Sequence, residues 1–285
     1  MIAAPSPYRR SAGTPSRRMP SILVTNDDGV DSPTLVPLAR ALSRLGSVRV
    51  VVPASERSWI GKAISRFEVL QVIETTRDGQ PVHAVTGTPA DCVSLAVHTL
   101  FDEPPDLVVS GVNLGLNFGL AFLISSGTVG GALEGWIAGI PSIAISMAIP
   151  NDAYGLSGAA RLAVLGERPM AVADVSADIV GTLLREGFPE HVDCFSVNMP
   201  ADVSLQTPRV IARTTRSRYG RLFVPGPESG YVHRFQSLTA LEDPGDGDMQ
   251  AVLQGAIAIA PLRLEFFTSL PEGLRTALTR TPAAR

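Results

Sequence analysis

Residues 22–29 read Ile22-Leu23-Val24-Thr25-Asn26-Asp27-Asp28-Gly29, so a stretch typical of a strand runs directly into an acidic turn. On a regular strand, adjacent side chains point to opposite faces. In a turn that Gly29 permits, both carboxylates can face one cavity. Because convergent carboxylates repel each other, a hard divalent cation is the usual partner that holds them together. The stretch therefore predicts half of a metal site at the carboxyl end of a strand, where open α/β sheets bind their ligands. Asn-Asp-Asp-Gly is also a common turn sequence, so the motif alone does not decide between the two.

Strand and helix patterns alternate along residues 21–200. Leu35, Leu38, Leu42 and Leu45 recur at helical spacing, and a buried strand follows at 48–52. This strand-helix-strand order predicts an α/β fold with a mostly parallel sheet. Residues 201–285 have shorter segments separated by Pro and Gly and predict a small β-rich extension. Residues 1–20 are basic and lack acidic residues, which predicts a disordered tail, and Met19 is an alternative candidate start.

Composition narrows the class of protein. The chain has 285 residues, 45% hydrophobic and 18% charged, which is typical of a cytosolic globular protein. A formal charge of −3 argues against nucleic acid as a stable partner. Cys92 and Cys194 lie in apolar contexts and are expected to be reduced. No run reaches the roughly 20 apolar residues of a membrane span. We therefore expect a cytoplasmic location.

Three predicted loops leave parallel strands at one edge of the sheet, at 26–31, 53–62 and 111–127. Their polar side chains supply only oxygen ligands, and the set is Asp27, Asp28, Ser58 and Asn113. Oxygen ligands suit Mg²⁺ or Mn²⁺ rather than zinc, which prefers nitrogen and sulfur. The pattern predicts one such cation, with about two coordination positions left for water or a phosphate oxygen.

Ser125-Ser126-Gly127-Thr128 opens a predicted helix. Free backbone N–H groups and the helix dipole favour an anion there, and the hydroxyls of Ser126 and Thr128 add donors. A divalent metal beside an anion-binding helix end indicates phosphoester chemistry. The same residues also fit a simple helix cap, so the combination of the two features at one edge carries the argument.

The chain resembles the SurE family of survival proteins, which are metal-dependent 5′/3′-nucleotidases. The resemblance covers about residues 21–265 and rests on motifs in the family's order: Thr25-Asn26-Asp27-Asp28-Gly29, Arg57-Ser58, Gly87 to Val93, Pro105 to Asn113, Ser126-Gly127-Thr128-Val129, Glu134-Gly135, Val197 to Pro200, and Ala251-Val252 to Pro261-Leu262.

The resemblance implies a Rossmann-like three-layer α/β/α core at 21–200. It also implies a C-terminal extension at 201–285 used in a homodimer or homotetramer, and hydrolysis of nucleoside monophosphates to nucleoside and phosphate. Carried over by motif, the metal ligands are the set found above: Asp27, Asp28, Ser58 and Asn113. The residues expected to contact substrate phosphate are Asn113, Ser126, Gly127 and Thr128, and the catalytic base is expected to be Asp27 or Asp28.

Two stretches depart from the family's pattern. Many members have Gly directly after the metal-binding Ser, whereas Trp59-Ile60 precede Gly61 here. Many also carry acidic residues where this chain has the apolar run Leu120-Ala121-Phe122-Leu123-Ile124, which we expect to be a loop that contacts a partner or lid.

Two other interpretations remain open at this point. A receiver-like signalling domain also has an acidic pair after its first strand, but it needs an Asp where this chain has Ser110-Gly111. A non-catalytic nucleotide-binding regulatory protein would keep the ligands without turnover. Base preference, 5′ against 3′ selectivity and the physiological metal are not encoded in a readable motif.

Overall fold

A computed structural model describes residues 18–156, 158–242, 245–265 and 268–279. The predicted disordered tail therefore lies outside the described residues, except for its last three. Of these, Arg18 forms ion pairs with Glu103 and with Asp106, the latter at 3.1 Å.

The elements alternate along the core as the sequence predicts. The strands are β1 Ser21–Thr25, β2 Ser47–Pro53, β3 Val72–Arg77, β4 Gln80–Val85, β5 Leu107–Leu114, β6 Ser142–Met147, β7 Cys194–Met199, β8 Arg209–Ile211, β9 Ser217–Tyr219, β10 Phe223–Pro225, β11 Tyr231–His233, β12 Leu238–Ala240 and β13 Ile257–Leu262. The helices are α1 Leu35–Leu42, α2 Pro89–Leu95, α3 Gly119–Ser125, α4 Gly127–Ile137, α5 Gly158–Leu165, α6 Arg168–Glu186, α7 Asp248–Leu253 and α8 Glu272–Leu278. A π-helical turn, Ala96–Leu100, continues α2.

One sheet of nine strands organises the core, in the order β3-β4-β2-β1-β5-β6-β7-β13-β8. From β4 to β7 every neighbouring pair is parallel, while β3 and β13 pair antiparallel with β4 and β7. The chain leaves β1 towards β2 on one side and later returns to β5 on the other. The space beyond the ends of β1 and β5 is thus the topological switch point, where such sheets bind ligands.

Helices cover both faces of the sheet. Alternate residues of β1 point to opposite sides: Ile22 packs in a cluster with residues of α1 and α6, and Leu23 packs in a cluster with residues of α2. This confirms the predicted three-layer α/β/α, Rossmann-like fold.

Helix α4 packs closely on the sheet because glycine faces the strands at two of its positions. A Cβ on Gly131 would lie 2.9 Å from Ser110 Oγ, and one on Gly135 would lie 2.4 Å from Ser142 Oγ. The N-terminus of α4 is therefore fixed directly over the ends of the central strands.

The apolar run Leu120–Ile124 is wrongly predicted as a loop. It forms most of helix α3, which presents Leu123 to the interior and leaves Ile124 exposed.

Within the described ranges, no single helix is long and apolar enough to cross a membrane; α3 and α4 meet that criterion only as a pair, bent by 70°.

The C-terminal part contributes to the main sheet through β8 and β13, and adds the small strand pairs β10–β11 and β9–β12. Its most buried polar residue is Asp248, which is 1% exposed. The Asp248 carboxylate accepts from the N–H groups of Thr215 (2.9 Å), Gly119 (2.9 Å) and Met249 (2.8 Å). This carboxylate ties the extension to the start of α3. The division of the chain at residue 200 into core and extension stays a prediction.

Substitution of Asp248 by Ala is expected to lower the free energy of unfolding by about 3 kcal/mol, because buried N–H groups lose a charged acceptor. Chemical denaturation measures it. The control is Asp246→Ala, whose carboxylate makes a half-exposed ion pair with Arg213 and should cost less than about 1 kcal/mol. Equal losses in the two variants would contradict the anchoring role.

Candidate active site

The turn after β1 is built by Asn26. Its side-chain Oδ1 accepts from Gly29 N–H (3.0 Å), and its Nδ2 donates to Gly29 O (3.1 Å). Gly29 has φ +87°, and a Cβ there would lie 2.8 Å from the backbone carbon of Ser55. Only glycine combines this conformation with this close approach. The turn places Asp27 and Asp28 together at the sheet edge.

Asp27 is 5% exposed and faces the N-terminus of α4. Its carboxylate accepts from Thr128 Oγ1 (2.6 Å) and from Thr128 N–H (3.0 Å). The first predicted carboxylate and the predicted phosphate-binding helix end therefore meet directly.

Ser126 acts as the N-cap of α4, accepting from Val129 N–H at 3.1 Å. Gly127 fits under Asp27: a Cβ there would lie 2.9 Å from both Asp27 Cβ and Arg57 O. Ser126, Gly127 and Thr128 thus lie beside the acidic pair, with both hydroxyls engaged in contacts within the protein.

Asp28 is partly exposed and accepts from Leu114 N–H at 3.0 Å. Loss of hydration in the surrounding protein raises the pKa of Asp28 to about 8, and the neighbouring Asp27 carboxylate adds to the rise. Burial raises the pKa of Asp27 to about 6, opposed by the hydrogen bonds from Thr128. Both carboxylates are disfavoured as anions in the protein alone, which is the electrostatic condition that a bound cation relieves.

Ser58 lies in the loop that follows β2, and its hydroxyl donates to Glu56 Oε1 at 2.6 Å. The Glu56 carboxylate is close enough to raise the pKa of both Asp27 and Asp28. Glu56 was not among the residues predicted for the site. Its position two residues before Ser58, in a loop predicted to reach the site, was the available signal.

Asn113 lies near the end of β5, beside Ser146 of β6. Its Nδ2 donates to Gly115 O at 2.7 Å, so Oδ1 is the end of the amide that can accept from or ligate another group. The described part of the chain holds no group of three or more His, Cys, Asp and Glu side chains that could bind a metal. A cation at the predicted site would therefore have two carboxylates and neutral oxygens as its ligands, a set that fits a hard cation.

A buried amide network supports the glycine-rich loop that follows β5 and Asn113. Asn117 N–H donates to Asn198 Oδ1 and its Nδ2 donates to Ser146 Oγ, both at 2.8 Å. Asn198 belongs to a motif that carried the family resemblance, but its role as a support for this loop follows only from the structure.

The positive charge of Arg161 on α5 acts on Asp28, where it partly opposes the rise in pKa of that carboxyl. Its Nε is buried and has no hydrogen-bond partner among the described residues. A buried donor without a partner requires an explanation. No sequence motif marks Arg161, so it was not predicted as a site residue.

Fold and site together define an α/β protein with an oxygen-only acidic site facing a helix N-terminus at the switch point of a parallel sheet. The chain belongs to the SurE family: the family model described as "Survival protein SurE" matches residues 22–221.

Relatives and a solved structure agree with this assignment. The chain is 39% identical over 251 residues to 5′-nucleotidase SurE of Moorella thermoacetica, covering 86% of this chain and 90% of the relative. It is 35% identical over 249 residues to 5′-nucleotidase SurE of Methanocella arvoryzae, covering 86% and 92%. The crystal structure of SurE protein from Aquifex aeolicus superposes with a TM-score of 0.69 at 31% identity, covering 91% of this chain and 98% of that one. The predicted family and fold are thereby confirmed.

Proposed function

We propose that the chain is a metal-dependent 5′-nucleotidase, a phosphomonoesterase that hydrolyses nucleoside monophosphates to nucleoside and phosphate. The observation that carries the proposal is the Asp27 carboxylate held against the N-terminus of α4, with Asp28 as its neighbour in the same turn. The printed names of the relatives, 5′-nucleotidase SurE, support the same activity.

The cation in this proposal is Mg²⁺ or Mn²⁺, held by the predicted set Asp27, Asp28, Ser58 and Asn113. When bound, it supplies Lewis-acid chemistry to the phosphoryl group and lowers the pKa of water.

The protein groups have distinct tasks. Asp27 uses its carboxylate to fix Thr128 and the start of α4, so it orients the helix end towards the phosphate. Asp28 has the backbone N–H of Leu114 as its hydrogen-bond donor and keeps acceptor capacity for the proton of the attacking water. Asn113, Ser126, Gly127 and Thr128 surround the position we assign to the phosphate.

A phosphate-release assay tests the proposal, using a panel of nucleoside monophosphates with Mg²⁺, with Mn²⁺ and with a chelator. We expect release that requires the metal. Nucleotide binding without release under any metal would instead favour the non-catalytic nucleotide-binding regulatory protein.

Arg161 is proposed as a further phosphate contact, because its charge lies near the acidic pair and its buried Nε lacks a partner in the described structure. Arg161→Met is expected to lower kcat/KM by about tenfold or more, and Arg161→Lys should recover part of it. Steady-state kinetics measures both. The control Arg44→Met removes an exposed partner of Asp174 and should leave kcat/KM unchanged. Unchanged kinetics in Arg161→Met would refute this role.

Assembly and location complete the proposal. The extension carries exposed apolar side chains on β10 and β11, including Phe223 and Tyr231, the latter 74% exposed. Such a surface supports a homodimer or homotetramer. The free buried Cys92 and Cys194 are consistent with a cytoplasmic location.

A further inference from the structure

Trp59 has a backbone conformation that is rare for its residue type. Its φ is +61°, in the left-handed region that glycine adopts freely. A bulky residue there carries backbone strain of about 1 kcal/mol or more, which persists where the surroundings fix it. The side chain of Trp59 is nevertheless 40% exposed, so its strain is not explained by burial in the core.

The indole lies among four other rings, and we define this set as the aromatic cluster: Trp59, Phe122, Tyr219, His233 and Phe235. The ring centroids around Trp59 are 5.6 Å away for Phe122, 5.4 Å for Tyr219, 4.7 Å for His233 and 5.9 Å for Phe235. The cluster joins three parts of the chain: the loop after β2, helix α3 and the C-terminal extension. Both stretches that depart from the family's pattern, at 59–60 and 120–124, meet in it.

The aromatic cluster borders the proposed catalytic site. Trp59 directly follows the candidate ligand Ser58. Gly61 N–H, two residues later, donates to Ser125 O at 2.9 Å, next to the N-cap of α4. The Tyr219 hydroxyl contacts the Ser125 hydroxyl as well. The rings therefore lie beside the helix end that the proposed function assigns to phosphate.

The arrangement leaves the indole available for a further ring. Its four neighbours are tilted by 84°, 52°, 60° and 44°, so none of them is stacked parallel on it. A flat aromatic group gains most from an offset, near-parallel contact with such a surface. The neighbours fix the position of the indole without occupying that contact.

We propose that Trp59, held by the aromatic cluster, stacks on the base of the bound nucleotide and makes the site select nucleoside monophosphates over phosphomonoesters that lack a base. Purines, which offer the larger ring surface, are preferred over pyrimidines. This inference rests on the proposed function, because it assigns the substrate's base to a position beside its phosphate.

The first test is the ratio of kcat/KM for AMP to kcat/KM for ribose 5-phosphate. Trp59→Ala is expected to lower this ratio about tenfold, mainly through KM for AMP, because stacking on one aromatic side chain makes a contribution of that order. Trp59→Phe should retain most of the ratio. The matched control is Trp136→Phe at the far end of α4, about 13 Å along the helix from its first residue, which should leave the ratio unchanged. Equal losses for both substrates in Trp59→Ala would show that the ring only supports the loop and would overturn the proposal.

The second test does not depend on turnover. The chain has two tryptophans, so Trp136→Phe leaves Trp59 as the only indole fluorophore. With a chelator present, AMP and adenosine are expected to quench its fluorescence, whereas ribose 5-phosphate and inorganic phosphate are not.

The two tests separate failure of this inference from failure of the proposed function. Quenching by AMP in a protein that hydrolyses no nucleotide would refute the nucleotidase and leave the base site standing. Hydrolysis of AMP without quenching, and with no change of the ratio in Trp59→Ala, would refute the base site and leave the nucleotidase standing.

Discussion

Replacing Asp28 by Asn is expected to abolish phosphate release, with kcat falling by about a thousandfold or more, while the fold is retained. The substitution removes one of the two carboxylates that we propose as cation ligands, and the one with more free acceptor capacity. Initial rates at saturating Mn²⁺ measure the loss. Retained activity in this variant would count decisively against the site.

The same variant has a predicted effect on stability. The pKa of Asp28 is raised to about 8 in the folded chain without metal, above its ordinary value, so ionising this carboxyl costs folding free energy. That cost is absent below about pH 4, the pKa of an unfolded-chain Asp, and complete only above the folded-state value. With a chelator present and above pH 8, Asp28→Asn should therefore unfold at a higher temperature than the unsubstituted protein. At about pH 4 the two proteins should unfold at the same temperature. Added Mn²⁺ should stabilise the unsubstituted protein and not the variant.

Adding one methyl group at Gly127 is expected to lower activity strongly, though by less than Asp28→Asn does. An alanine Cβ would lie 2.9 Å from both Asp27 Cβ and Arg57 O, and 3.0 Å from the Asp27 carboxylate. The start of α4 must then move away from Asp27, which lengthens the two contacts from Thr128. We expect kcat/KM to fall about a hundredfold, because displacements of about 1 Å at a reacting site have effects of that size.

The matched control for Gly127→Ala is Gly273→Ala. Gly273 also lies in the first turn of a helix, but nothing lies within 4 Å of its Cβ position. That variant should be as active as the unsubstituted protein. If Gly127→Ala were equally active, the close fit between α4 and Asp27 would have no bearing on catalysis.

The positions of site residues that directly follow a strand could be predicted from the sequence. Asp27 and Asn113 follow or end neighbouring parallel strands, and parallel strands deliver their exit loops to one edge whatever the details of packing. The helix start at Ser126 was likewise predictable from local capping chemistry.

Other parts depend on contacts between distant segments and leave no local pattern. The charges of Glu56 and Arg161 lie near the acidic residues only because of the paths of their loop and helix. The run 120–124 has no polar face to reveal a helix, and it is stabilised by packing against the extension. The ring contacts of Trp59 involve residues far apart in sequence, so no spacing rule could indicate them.

The bond from Gly119 N–H to Asp248 spans 129 residues of chain. During synthesis, strands β1 to β7 and the acidic pair are all made before that carboxylate emerges from the ribosome. A nascent chain that ends before Asp248 also lacks β13, so its main sheet stops at β7, and the Gly119 N–H at the start of α3 has no Asp248 carboxylate to bind. The anchoring of α3 to the extension is thus completed only after most of the chain has been synthesised.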